Sequence, residues 1–262
     1  MPAISSPYSA LLRHAALAGD EPWLFQSEGL DWRWRSWRDA AAQAAASRER
    51  FASLPAGSRA PFLYLPSFEA VTLDLGIQGA GLFSMPVGEG AGEEPEGTKG
   101  TAGTAGTNES SEGGAVLMIE GTAVEVGIAG LMAMAERVEG VIAPPRKAGE
   151  REIVVLGGPL ERPEERAMLS WATVTGAAVV LEPAPGMRVA TAAWARPTVF
   201  HGTPEEIAVL RAWAGKARKR RRLPFGRLRT VLVTGGELSE EELAFWEGLG
   251  VKVAQNAFPN PK

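Results

Sequence analysis

The sequence has no cysteine, which removes disulfide frameworks, thiolate nucleophiles and Cys-based metal sites together. Histidine is nearly as scarce, with only His14 and His201. No serine-nucleophile, metal-ligand or paired-carboxylate spacing is present, so no catalytic residue and no metal ligand is assigned. Long apolar runs are missing too. The most apolar stretch, residues 61–87, is broken by Pro66, Glu69, Asp74 and Pro86, short of the roughly 18 unbroken apolar residues of a membrane span. Residues 1–15, MPAISSPYSALLRHA, lack the basic start and apolar core of a signal peptide. A net charge of −4 gives no global attraction to nucleic acid or to an anionic membrane. These absences predict a cytoplasmic protein without a membrane span or a nucleic-acid partner.

What is present is ordinary globular material: 262 residues, 45% hydrophobic and 22% charged, enough for one large core or two modest ones. The segment Pro61–Val87 is the most informative. An apolar run ends at Pro66, and Ser67 is a good N-cap. Phe68, Val71, Leu75 and Gln78 then share one side of an amphipathic helix, with Leu73, Ile77 and Ala80 beside them. Gly79 and Gly81 end it, and Leu82–Val87 reads as a second strand. Strand, capped helix and strand make a βαβ unit, whose right-handed crossover lays the strands parallel under helices.

Ahead of this unit come a helix over 8–18, with His14 at its surface, and a hairpin of 23–26 and 30–35. Trp32 and Trp34 alternate there with Asp31, Arg33 and Arg35, predicting a half-buried ribbon. Ser36 and Asp39 form a capping box for an Ala-rich helix reaching about Ser53. After Val87 the composition changes: nine of the 27 residues from 88 to 114 are glycine, with no apolar period, which reads as a flexible linker or insertion. Its GTAGTAGT lacks the preceding strand, following helix and Lys-Ser/Thr of a phosphate loop. Beyond it, strands at 115–119, 153–156, 177–181, 197–201, 230–233 and 251–255 alternate with helices at 126–141, 163–175, from Pro204, and after Ser239. This is an α/β chain throughout. We expect a first α/β subdomain at 1–87, a Gly/Glu/Thr-rich linker at 88–114, and a second α/β subdomain at 115–262.

Several motifs in order resemble the adenylate-forming superfamily of acyl-CoA synthetases, luciferases and peptide-synthetase adenylation domains. Tyr64-Leu65-Pro66-Ser67-Phe68-Glu69 resembles its L-P-N-S-x-E-F, and Gly79-Ala80-Gly81 with Met85-Pro86-Val87 its A-G-A-V-x-V-P. Thr175–Val180 resembles G-A-T-V-V-L, Ala195–Val199 resembles K-P-T-V, and Leu228–Leu238 resembles L-R-x-x-x-x-G-G-A-P-L. The resemblance implies layered, mostly parallel sheets with flanking helices, as in the N-terminal domain of these enzymes, and an ATP-dependent acyl-CoA ligase activity with ATP or AMP and Mg as cofactors.

The chemical motifs depart from that pattern. Where T-S-G-T-T-G-x-P-K-G is expected stands Glu120-Gly121-Thr122-Ala123-Val124-Glu125, with no lysine and two carboxylates. The usual histidine is absent from Gly157-Gly158-Pro159-Leu160. Asn256-Ala257-Phe258-Pro259-Asn260-Pro261 resembles N-x-Y-G-x-T-E without the Gly or the Thr-Glu, and the hinge and catalytic-lysine domain have no counterpart before Lys262. The expectation is therefore a truncated, degenerate domain that binds rather than catalyses. Alternatives are a ligase half completed by a partner chain that supplies the C-terminal part, and a structural or interaction module.

Carried over residue by residue, the resemblance places a retained nucleotide site at Gly235, Gly236, Glu237, Asn256 and Phe258. It puts an acyl pocket, for an acyl or carboxylate small molecule, near His201. The plainer readings are a tight strand-to-helix turn at the glycines, core packing for Phe258 and a satisfied structural histidine. Lys216–Arg222, KARKRRR, is the one strong basic run. Without interleaved aromatics it reads as a solvated connector rather than a nucleic-acid surface.

Overall fold

The computed structural model describes residues 4–28, 31–87, 113–145, 149–184, 186–219, 226–255 and 258. The linker therefore lies outside the described residues except for its last two glycines, and Gly114 already opens a strand.

In chain order the elements begin with α1 (Pro7–Ala18), β1 (Pro22–Glu28), β2 (Asp31–Ser36), α2 (Trp37–Phe51), β3 (Arg59–Leu63), α3 (Phe68–Gly79) and β4 (Phe83–Val87). After the undescribed stretch follow β5 (Gly114–Ile119), β6 (Thr122–Gly127), α4 (Ile128–Val141), β7 (Ile153–Leu156), α5 (Pro163–Thr175) and β8 (Ala178–Leu181). The chain continues with α6 (Arg188–Ala195), β9 (Val199–Gly202), α7 (Pro204–Lys219), β10 (Thr230–Val233), α8 (Glu240–Glu247) and β11 (Lys252–Ala254). A seven-stranded sheet runs β11-β10-β9-β7-β8-β1-β2, and a four-stranded sheet runs β3-β4-β5-β6. All pairs are parallel except the hairpins β1–β2 and β5–β6. Strands from both sides of the linker enter both sheets: β1 pairs β8, and β4 pairs β5.

Side-chain alternation divides the large sheet between two cores. Leu24, Val154, Leu156, Val179, Leu181, Val199 and Leu232 face a layer containing α1, α2, α3 and α5, with Ala60 and Phe62 of the small sheet beyond it. Val155, Val180, Phe200, Val231 and Val233 face α6, α7 and α8. The predicted capping box is formed, Ser36 with Asp39 opening α2, and Ser239, expected as a cap, forms a second box with Glu242 at the start of α8. Each cap contributes about 1 kcal/mol. Trp23 stacks on Trp37 with centroids 4.3 Å apart, adding roughly 0.5–1.5 kcal/mol beyond their burial.

The βαβ unit forms as predicted, with β3 and β4 parallel across α3. Helix α3 differs from the amphipathic reading, because it is buried nearly all round, Thr72, Asp74 and Gln78 included. It lies between α2, α1 and the sheets. Gly76 allows the close approach: a Cβ there would stand 2.5 Å from the Ala44 carbonyl oxygen.

Five further readings are corrected. Residues 122–127 are strand β6, so α4 begins at Ile128 rather than at 126. Helix α6 was not anticipated. Trp32 and Trp34 are 40% and 50% exposed, because only one face of the hairpin is covered. His14 is part-buried, its ring 4.6 Å from that of Trp37 and its Nε2 3.2 Å from the Val174 carbonyl. Burial first, then Arg13 and Arg151, hold that ring toward the neutral form against the Val174 carbonyl. The basic run also begins inside α7, which reaches Lys219, rather than wholly in a connector. Its remaining residues are outside the described set.

Candidate functional site

In a parallel sheet the crevice beyond the carboxyl ends of the strands is where ligands are received. Here that edge gathers Gly157-Gly158 after β7, Glu182 after β8, His201-Gly202 at the end of β9, and Thr234-Gly235-Gly236 after β10.

His201 sits at the centre, fully buried. Its Nε2 is 3.4 Å from Arg188 Nη1 and 3.6 Å from Glu165 Oε2. Arg188, at the start of α6, donates through Nη1 to Glu165 at 2.5 Å, through Nε to Glu206 at 3.1 Å, and through Nη2 to Glu206. Glu165 comes from the first turn of α5 and Glu206 from that of α7, so one guanidinium ties three helices over the sheet edge. Acids in a helix's first turn are favoured there by the backbone dipole.

Burial pushes Glu165 up to about 7, although Arg188 and the Gly158 N–H both favour its charged form. Burial, and then Arg188, push His201 well below the ordinary histidine value, against a smaller opposite effect of the Val155 backbone. His201 is thus neutral and Glu165 is poised near neutrality. Glu165 Oε2, the oxygen nearer His201, makes no hydrogen bond among the described residues, and Arg188 lies against both side chains.

Beneath this cluster a second polar group is buried. Arg166 Nη1 donates to Asp74 Oδ2 at 2.5 Å, and Gln78 Nε2 donates to the same oxygen at 2.8 Å. Tyr64 is buried near them. Burial, then Glu165 and Asp74, raise its hydroxyl well above the ordinary tyrosine value. The Tyr64 hydroxyl, Asp74 Oδ1 and Gln78 Oε1 make no hydrogen bond among the described residues.

Of the residues assigned from sequence, Phe258 packs against the core with its ring edge-on to His201, centroids 6.4 Å apart. Gly235, Gly236 and Glu237 are exposed on the loop after β10. Gly235 has φ +70°, and a Cβ on Gly236 would stand 2.9 Å from Pro204. The tight-turn requirement is therefore present whether or not a ligand binds. Asn256 lies outside the described residues. The structure brings His201 and Phe258 together. It also adds Glu165, Arg188 and Glu206, which sequence reasoning missed; their only sequence signal is acids in the first turns of two helices.

The segment standing where the resemblance would put a phosphate loop is a tight hairpin. Ile119 pairs with Thr122 across a two-residue turn, with Glu120 at φ 50° and Gly121 at φ 78°. Two successive positive φ values are those of a type I′ turn. Glu125 points outward and pairs with Arg59 at 2.7 Å. Among the described residues no His/Asp/Glu group is arranged to hold a metal ion, and no helix is long and apolar enough to cross a membrane.

No family model matches the chain, and no curated protein matches it. Solved structures do. The crystal structure of VinN aligns with a TM-score of 0.72 over 95% of this chain and 73% of that one, at 14% identity. The N-terminal domain of FACL13 from Mycobacterium tuberculosis aligns with a TM-score of 0.73 over 96% and 75%, at 12% identity. The nonribosomal peptide synthetase FmoA3, in its AMPPNP-bound form, aligns with a TM-score of 0.74 over 97% of this chain and 32% of that one, at 16% identity. At these identities the likeness is one of architecture: the chain has the α/β fold of the N-terminal domain of adenylate-forming enzymes.

Proposed function

We propose that the chain is an AMP-binding or acyl-binding protein built on this fold, acting as a binding or accessory subunit without phosphoryl chemistry. The observation that carries the reading is the two-residue Glu120-Gly121 turn between β5 and β6. A polyphosphate needs a run of converging backbone N–H groups, usually with a lysine. This turn is too short for such a cradle, no lysine lies on either strand, and Glu120 adds a carboxylate. Like charges about 4 Å apart repel by roughly 1–4 kcal/mol at effective dielectrics between water and a protein surface. The residues present thus do not fit a triphosphate.

The carboxyl edge of the large sheet keeps features that suit a smaller ligand. Phe258 lies at the sheet edge beside His201, and the Gly235-Gly236 backbone is open to solvent. VinN has been solved in complex with L-aspartate, a precedent for a small carboxylate ligand on this architecture.

Isothermal titration of the full chain with AMP, Mg-ATP and octanoate tests the reading. Binding of AMP or octanoate without a magnesium requirement supports it. Tight Mg-ATP binding with pyrophosphate release overturns it, and silence toward all three favours a purely structural module.

A further inference from the structure

The face of the large sheet opposite His201 carries a second concavity. On that face Phe25 and Ser27 of β1 stand across from Trp34 and Trp32 of β2, in line with Val180 of β8. Helix α6 is only eight residues long. It covers Val180 but stops short of the hairpin, leaving Trp34 half exposed and Trp194 79% exposed. Between α6 and the hairpin run two adjoining cavities of about 340 and 500 Å³ that share Trp32 and Trp194 as walls. Their volumes fall in the range of small-molecule sites. One cavity is lined by Phe25, Ile153 and Val180, and the other by Ser27, Thr191 and Glu182.

The charge of the lining is one-sided. Glu182 is buried. Its Oε1 accepts from the Ala184 N–H at 2.8 Å and its Oε2 from the Thr191 hydroxyl, which fixes the carboxylate in place. No lysine or arginine lines either cavity among the described residues. Arg35 projects to the other side of the hairpin, where its guanidinium lies 4.9 Å from the Phe68 ring centre. A carboxylate accepting two hydrogen bonds has lone pairs left for a further donor. Two indoles flanking a groove with such a group at one end favour a cation through their ring faces.

We propose that this groove binds an amphipathic organic ammonium, its apolar body between Trp32 and Trp194 and its cationic end toward Glu182. The site lies across the sheet from His201, and the proposal does not depend on any nucleotide or acyl ligand.

Isothermal titration of the full chain with 4-phenylbutylamine, 4-phenylbutanol and 4-phenylbutyrate separates charge from shape, since the three share one body. The amine should bind about tenfold tighter than the alcohol, and the carboxylate weakest. Trp194→Ala removes an exposed wall and should weaken the amine about tenfold, whereas Glu182→Gln should erase the preference for amine over alcohol. If Glu182→Gln fails to fold, the three-probe order and Trp194→Ala still decide. Equal binding of the three probes, no binding of any, or an unchanged Kd in Trp194→Ala overturns the proposal. So does a concentration-dependent dimer in sedimentation velocity that Trp194→Ala abolishes, because a second copy would then cover the groove.

Discussion

Arg166 Nη1 and Asp74 Oδ2 meet at 2.5 Å with side chains 1% and 0% exposed, joining α5 to the middle of α3. An ion pair so deeply buried recovers its desolvation only while both partners are present. Arg166→Met alone should therefore cost about 3–5 kcal/mol in urea unfolding, because Asp74 keeps only Gln78. The double variant Asp74→Leu/Arg166→Met should return most of that loss. A double variant no more stable than the single one would show that the pair contributes through its hydrogen bonds rather than through charge balance.

The His201 cluster predicts two opposing pH dependences. Glu165 holds its proton to about 7 in the folded chain against an ordinary 4.5. The fold therefore binds more protons there than the unfolded chain, and its stability falls as pH rises across that interval. His201 is held below its ordinary 6.5, so stability falls as pH drops through 6.5 toward its folded value. In wild type the two trends offset between pH 4.5 and 6.5. Glu165→Gln should remove roughly 2–3 kcal/mol of the loss on raising the pH from 4.5 to 7, leaving a protein that only weakens on acidification. Urea midpoints at half-unit pH steps give the slopes, and matching slopes in the two proteins would contradict this account.

Gly76 and Gly140 form a matched pair. Glycine to alanine in an exposed helix gains about 1 kcal/mol, and around Gly140 in α4 nothing lies within 4 Å of an added Cβ. Gly140→Ala should raise the melting temperature. At Gly76 the added Cβ would press on the Ala44 carbonyl and Ser47, so Gly76→Ala should instead cost roughly 1–3 kcal/mol. Thermal unfolding of both variants reads the sign directly.

Phe258 connects the proposed ligand to the fold. If AMP lies over the carboxyl edge, Phe258→Ala should weaken it by about tenfold, the scale of one aromatic stacking contact. The loss of the ring at the margin of the core should lower stability far less than Arg166→Met does. Titration calorimetry on the folded variant measures the first effect. An unchanged AMP affinity would place the nucleotide elsewhere.

The βαβ unit was legible because its signals are local: an apolar run, a Ser67 cap and glycines at the exit. The near-complete burial of α3 was not, since it depends on α1, α2 and Arg166 of the distant α5 closing over residues that look polar in isolation. Strand β6 was not legible because Glu120–Glu125 reads as the place of a lost phosphate loop, and Val126 and Gly127 run without a break into the apolar face of α4. Helix α6 offered no start signal; its N-cap is Met187, which makes no side-chain capping bond. His201 could be picked out by rarity alone, but Glu165, Arg188 and Glu206 come from three separate helices. Their convergence is a property of the packing, which no spacing in the sequence records.

The pairing of β1 with β8 has a consequence for how the chain is made. Leu24 finds its parallel neighbour in Val179, more than half the chain away, and at roughly 5–20 residues per second that is about 10–30 s of synthesis. Through that interval the inner edge of the β1–β2 hairpin, with Trp23 and Leu24 on it, waits on the ribosome for its partner. Contacts this distant in sequence also slow refolding. The nascent chain therefore spends that period with an aggregation-prone edge that only the second half of translation can close.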